Sequence, residues 1–194
     1  MSYNVIIFIS NLKHNTMNSK LRLVTTNICP RKCELCSNKN NNHPPIVTIE
    51  EANKYDMVIL TGGEPMMYPD NMVKLLDELG GTKVVIYTAY IHDPFQTRRV
   101  LFQPNVVGVT FTIHDNKGLD DFHLFDQCVR QVIDKIPFRK LSLHLNIFPS
   151  DITQFKAMDF SLWRVKMIDW IVDCPLPSDE DFGIISNPWG GKMS

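Results

Sequence analysis

The chain has 194 residues, 44% of them hydrophobic and 21% charged, with a formal net charge of -1. That length suits one large domain, able to bury roughly 70% of its unfolded surface without disulfide staples. Near-neutral charge without a long basic run excludes electrostatic capture of nucleic acid, and the apolar start MSYNVIIFIS is too short for a membrane span. It also lacks the basic start and small-residue cleavage site of a secretory signal. A cytoplasmic, reducing setting is therefore expected, where clustered cysteines more often bind metal or do redox work than pair as disulfides.

In chain order, residues 1–19 read as an N-terminal extension in which VIIFIS is a candidate extra strand. LRLVTT (Leu21 to Thr26) reads as a strand and leads directly into CPRKCELC (Cys29 to Cys36), followed by the polar loop SNKNNNHPP. Thr48 with Glu51 is a capping-box pair that opens a short helix. MVILT (Met57 to Thr61) is a second strand, running into TGGEP (Thr61 to Pro65). Asp70 is expected to cap a helix that ends at Gly80 and Gly81. KVVIYT (Lys83 to Thr88) is a third strand, and Asp93-Pro94 starts another helix with proline at its first position.

VVGVTFTI (Val106 to Ile113) and LSLHLNIF (Leu141 to Phe148) read as a fourth and fifth strand, separated by a helix from about Asp120 to Lys135. A short helix from Ser150 or Asp151 and a strand in VKMIDWIV (Val165 to Val172) complete the series. Such alternation predicts an α/β fold with parallel strands and crossover helices, occupying residues 20–175. The remaining residues, 176–194, are rich in proline, glycine and acid and read as a C-terminal tail or lid.

Parallel strands covered on both sides are usually apolar throughout. The fourth strand instead sets Thr110, Thr112 and His114 on one face, and the fifth sets Ser142, His144 and Asn146. A polar face on otherwise buried strands points to a lumen holding a polar ligand, as in a barrel; groups satisfied by buried water or by one another are the plainer alternative. His114 reads equally as lumenal or as an ordinary strand-end histidine. Cys128 reads as a small buried hydrophobe, and Cys174 as structural.

Three of the five cysteines fall within eight residues, spaced C-x3-C-x2-C, with no fourth nearby. Three thiolates can hold iron or another soft metal and leave one coordination position open. At the end of the second strand, the two glycines of TGGEP allow close backbone approach, at the position where α/β proteins bind ligands. Together, C-x3-C-x2-C after a first strand and GGEP after the second resemble the radical S-adenosylmethionine (radical SAM) enzymes. The resemblance extends over residues 20–175 through the strand and helix alternation, with only the two motifs specific.

The resemblance implies a partial (βα)6 barrel of parallel strands, open on one side. It implies that Cys29, Cys33 and Cys36 bind three irons of a [4Fe-4S] cluster, with S-adenosylmethionine chelating the fourth. Gly62, Gly63 and Glu64 would receive the cofactor's amino group. Leu35 stands where an aromatic residue often packs near adenine, and Thr112, His144 and Asn146 are candidates for ribose and methionine carboxylate. The implied activity is that of an oxidoreductase: reductive cleavage of S-adenosylmethionine to a 5′-deoxyadenosyl radical that abstracts hydrogen from substrate. A flavodoxin- or ferredoxin-like donor would supply the electron.

Six strands cannot close a barrel that normally takes eight, and a thin cover must still exclude water. Either a partner-protein loop plugs the opening, as in activases of glycyl-radical enzymes, or the tail folds over a small molecule, as in deazapurine synthases. The acidic, proline-containing start of the tail favours the partner protein. Outside catalysis stand a Cys3His zinc module completed by His43 and an iron-sulfur carrier, the latter normally needing four cysteines.

Overall fold

The computed structural model describes residues 19–33, 36, 44–136, 141–148, 159–169 and 176–190. The N-terminal VIIFIS, Leu35, His43, the segment after Ser150 and Cys174 lie outside these residues. Strands β1 (Lys20–Thr26), β3 (Met57–Gly62), β4 (Lys83–Thr88), β5 (Val106–Ile113), β6 (Ser142–Ile147) and β7 (Arg164–Met167) are the six that the alternation predicts. Two more join them, β2 (Ile46–Val47) and β8 (Glu180–Trp189). All eight pair in parallel in a single sheet of order β2-β8-β1-β3-β4-β5-β6-β7, which does not close on itself.

Among the described residues four α-helices connect the strands: α1 (Ile49–Ala52), α2 (Pro69–Glu78), α3 (Pro94–Leu101) and α4 (Asn116–Lys135). Among the described residues no helix is long and apolar enough to cross a membrane. The core follows from period-two alternation: Leu21, Leu23, Val58, Leu60, Val84 and Ile86 leave the sheet on one face and are almost fully buried. Against that face pack Met72, Leu75 and Leu76 of α2, Val100 and Leu101 of α3, and Phe122, Phe125 and Val129 of α4. Phe111 of β5 meets Phe122 and Phe125 with ring centroids 5.4 and 5.0 Å apart. Cys128 is buried in this layer.

Local signals set most helix starts. Thr48 and Glu51 form the complete capping box of α1, and Asp93 accepts from Gln96 N at 2.8 Å to cap α3. Asp70 is not a cap: Tyr68 holds that position, Pro69 begins α2, and Asp70 lies in the first turn, where its charge still suits the helix dipole. Helix α4 begins four residues before the expected Asp120, because Asp115 accepts from Gly118 N at 2.7 Å and caps it there.

The largest difference concerns residues 176–194. Where the composition reads as a tail or lid, Glu180–Trp189 form β8, seated between β2 and β1. Its acids are satisfied by partners far away in sequence. Lys20 Nζ meets Asp179 at 2.6 Å, Arg22 meets Glu180 at 2.7 Å, and Tyr55 donates to Asp181 at 2.9 Å. Gly183 is needed for β8 to pass there, since a Cβ at that position would collide with the Val47 side chain.

Candidate functional site

The cysteine loop leaves the end of β1 and is bound at once to the turn that follows β3. Gly63 N donates to the Thr26 carbonyl, and Glu64 N donates to the Ile28 carbonyl at 2.8 Å. A Cβ on Gly63 would collide with the Ile28 carbonyl, and one on Gly62, whose φ is +122°, would collide with the Thr26 carbonyl. The two glycines thus let one backbone approach another, joining TGGEP and CPRKCELC into a single unit. Thr26 completes the junction. Its hydroxyl accepts from Ile28 N at 3.1 Å and donates to the Trp189 carbonyl of β8 at 2.8 Å.

Glu64 caps the 3-10 turn Pro65–Met67 and is almost completely buried. Its Oε1 accepts from Met66 N at 3.0 Å and Thr88 Oγ1 at 2.6 Å, and its Oε2 accepts from Ala89 N at 2.9 Å. These bonds give the TAY segment at the end of β4 its role, which is to hold the GGEP turn. Burial is the dominant influence on the carboxyl, pushing it up to about 7 against those donors. A carboxylate has about four lone-pair sites, so three donors leave one acceptor position on Oε2.

Arg31, inside the cysteine loop, was not singled out by spacing or motif. Its side chain is 9% exposed, and each guanidinium nitrogen has a partner: Nε donates to the Ala89 carbonyl at 3.0 Å, Nη1 to Asp115 at 3.0 Å and Nη2 to Asp121 at 2.9 Å. One residue therefore ties the loop to the end of β4 and to the first turns of α4. Its charge also reaches His114, whose ring stacks on Phe148 with centroids 5.1 Å apart. Burial first, then Arg31, holds His114 down at about 4, so the ring is neutral at pH 7.

Cys29, Cys33 and Cys36 are half-buried and free of disulfides. Burial pushes the Cys29 thiol up, and the neighbouring Glu64, Cys33 and Cys36 add to this. Cys33 is raised by burial and then by Cys36, while Arg31 opposes. The three sulfurs thus lie within electrostatic reach of one another on one loop. Among the described residues no group of three or more His, Cys, Asp or Glu is gathered in metal-holding geometry.

The end of β8 covers this loop. Trp189 packs against Tyr68 with centroids 6.2 Å apart, and Gly190, at φ +85°, leaves no room for a Cβ, which would lie 2.5 Å from both Ile28 Cδ1 and Tyr68 OH. Nothing in an acidic, proline-containing run announces such a contact.

The sheet face opposite the helices bounds a cavity of about 470 Å3, lined in part by Thr110, Ser142, His144 and Asn146. Part of the polar stripe read from the sequence thus faces a hollow, while Thr112 and His114 do not line it. Ser142 Oγ lies 3.0 Å from His144 Nε2, and register sets Thr110 opposite His144 and Thr112 opposite Asn146. Thr112 is half-buried on the same strand face without lining the cavity. No family model matches the chain, and no curated protein matches it either.

Proposed function

We propose that the chain is a radical SAM enzyme built on a partial (βα)6 barrel, open on one side and extended by β8 beside β1. The observation that supports this best is the bonding of Gly63 N and Glu64 N to the Thr26 and Ile28 carbonyls. It joins the three-cysteine loop and the GGEP turn at the carboxyl ends of adjacent parallel strands, where such folds bind ligands.

Cys29, Cys33 and Cys36 would hold the [4Fe-4S] cluster, and their chemistry fits: three soft thiol donors on one half-buried loop with no fourth. When bound, the cluster with S-adenosylmethionine supplies reductive cleavage of the cofactor and, through it, hydrogen-atom abstraction from a substrate. Because Cys29 and Cys33 are raised, they are protonated in the metal-free chain, and loading releases protons. Arg31 anchors the loop against the end of β4 and α4. The free acceptor position of Glu64, beside Gly62 and Gly63, suits an ammonium group. Thr112, His144 and Asn146 lie along the lumen face for more distant contacts. A flavodoxin- or ferredoxin-like protein would deliver the electron.

Anaerobic reconstitution tests this reading. The expected product is a brown protein with equal iron and sulfide that, once reduced, cleaves S-adenosylmethionine to methionine and 5′-deoxyadenosine. Alanine at any of Cys29, Cys33 or Cys36 should abolish the iron. Stoichiometric zinc without sulfide would overturn it in favour of the zinc module.

A further inference from the structure

We infer that the lumenal cavity is a substrate pocket for a small carboxylate, in which Lys166 seats the anion. The word substrate rests on the radical SAM reading; the pocket and its charge rest on the geometry alone.

At about 470 Å3 the cavity falls within the range of roughly 300–1,000 Å3 typical of small-molecule sites. The balance of charge around it is the argument. Of the charged side chains that line it, Lys20 is bound to Asp179 at 2.6 Å, and Glu180 is bound by Arg22 at 2.7 Å. Lys166 lines the cavity from β7, exposed at its edge, and has no carboxylate partner among the described residues. Among the described residues that line it, one cation is left without an ion-pair partner, so the cavity favours a negative group.

What surrounds Lys166 narrows the anion. Asn146 stands opposite it in register and contributes an amide donor. His144, Ser142 and Thr110 add imidazole and hydroxyl groups further along the wall. A phosphate dianion is usually met by a helix N-terminus, a nest of backbone N–H groups or an arginine fork. The lining strands spend their inner backbone groups on ladder bonds, Arg22 is occupied by Glu180 and lies 5.4 Å over the Tyr87 ring, and Arg164, opposite His144 in register, does not line the cavity. A single lysine beside an amide matches a single carboxylate. Met57, Ile59 and Val85 add an apolar stretch of lining from β3 and β4, suited to a flat or aliphatic body.

The same geometry changes the balance between substrates. A partner-protein plug is favoured only if residues 176–194 are a solvated tail that leaves the opening thinly covered. They instead furnish β8, a full strand beside β1 that contributes Glu180 to the cavity wall. A small molecule can then be walled by the sheet along that side.

Ligand-detected NMR on the full, metal-free chain tests the pocket, with 2-naphthoate and its neutral isostere 2-naphthamide as probes. Naphthoate is expected to bind about tenfold more tightly, the effect of one charge-assisted contact. Lys166→Met should erase that preference without changing naphthamide binding or thermal stability, and Lys166→Arg should retain it. Equal binding of the two probes, or a preference that survives Lys166→Met, would overturn the inference. Displacement of naphthoate by inorganic phosphate would overturn the assignment to carboxylates, and displacement by S-adenosylmethionine would make the cavity the cofactor's. Iron loading is measured separately. Failure to bind iron with naphthoate selectivity intact would remove the radical SAM reading and leave the pocket standing.

Discussion

The hydroxyl of Thr88 donates to Oε1 of Glu64 at 2.6 Å, fastening the end of β4 to the turn after β3. Without its hydroxyl, Glu64 loses one of three donors in a buried setting. Thr88→Val is therefore expected to lower stability by about 1–3 kcal/mol and to raise the Glu64 pKa further. Chemical denaturation measures the first effect. Unchanged stability would mean the bond is incidental.

Two groups make stability depend on pH in opposite senses. The Glu64 carboxyl is raised from 4.5 to about 7, so the fold holds its proton where the unfolded chain has lost it. Its contribution is full below pH 4.5 and is lost as pH rises to about 7, on the order of 3 kcal/mol. His114 is lowered from 6.5 to about 4, so its burial becomes favourable only as pH rises through that interval, by a smaller amount given its partial exposure. The parent should show a flattened profile between pH 4.5 and 7. Glu64→Gln should leave stability rising with pH, and His114→Phe should leave it falling. Parallel profiles for all three metal-free proteins would contradict both assignments.

Arg31 brings a buried cation to two aspartates and a carbonyl. Arg31→Ala removes the cation that Asp115 and Asp121 share and is expected to cost about 1–3 kcal/mol, discounted because Asp115 is half-exposed. Iodoacetamide should then label Cys29 and Cys33 faster, since the loop loses its anchor. Arg31→Lys should restore only part of each effect, lacking the planar fork. Full rescue by lysine would reduce the role to bare charge.

Gly63 and Gly190 both face Ile28 but through different atoms. Alanine at Gly63 meets a backbone carbonyl that cannot yield, and a loss of about 3 kcal/mol or more is expected. Alanine at Gly190 meets the flexible end of Ile28, so about 1–2 kcal/mol is expected, part of it from the positive φ. Thermal melts of the two variants give the comparison, and a reversed order would show that the loop adjusts around Gly63.

Deleting residues 178–194 should abolish cooperative unfolding rather than merely uncover a site, because β8 pairs with β1 and β2. A truncated chain that still melts cooperatively would mean that the sheet holds without it.

Much of the architecture was legible because local signals agreed with the global pattern. The six apolar runs became six neighbouring strands, and Thr48 and Asp93 capped where they stand. The cysteine loop and TGGEP were readable as motifs, although their backbone junction was not. Strand β8 was hidden because its polar residues are matched only across about 160 positions, as in the pairs Lys20–Asp179 and Arg22–Glu180. Pro188 also argues against a strand. It is tolerated because β2 pairs only with Ile184 and Ile185, leaving the last residues of β8 an open edge on that side. Arg31 was equally unreadable, since its partners Asp115 and Asp121 lie 84 and 90 positions away.

The position of β8 also imposes an order in time. The strand of residues 180–189 is inserted between those of residues 20–26 and 46–47, so β1 and β2 leave the ribosome with a gap that is filled only once β8 has been made. Until β8 emerges, the β1 edge that it covers carries unpaired N–H and C=O groups beside three reduced cysteines. Before then the segment leading into the cysteines lacks the Thr26 bond to Trp189 and the packing of Gly190 on Ile28.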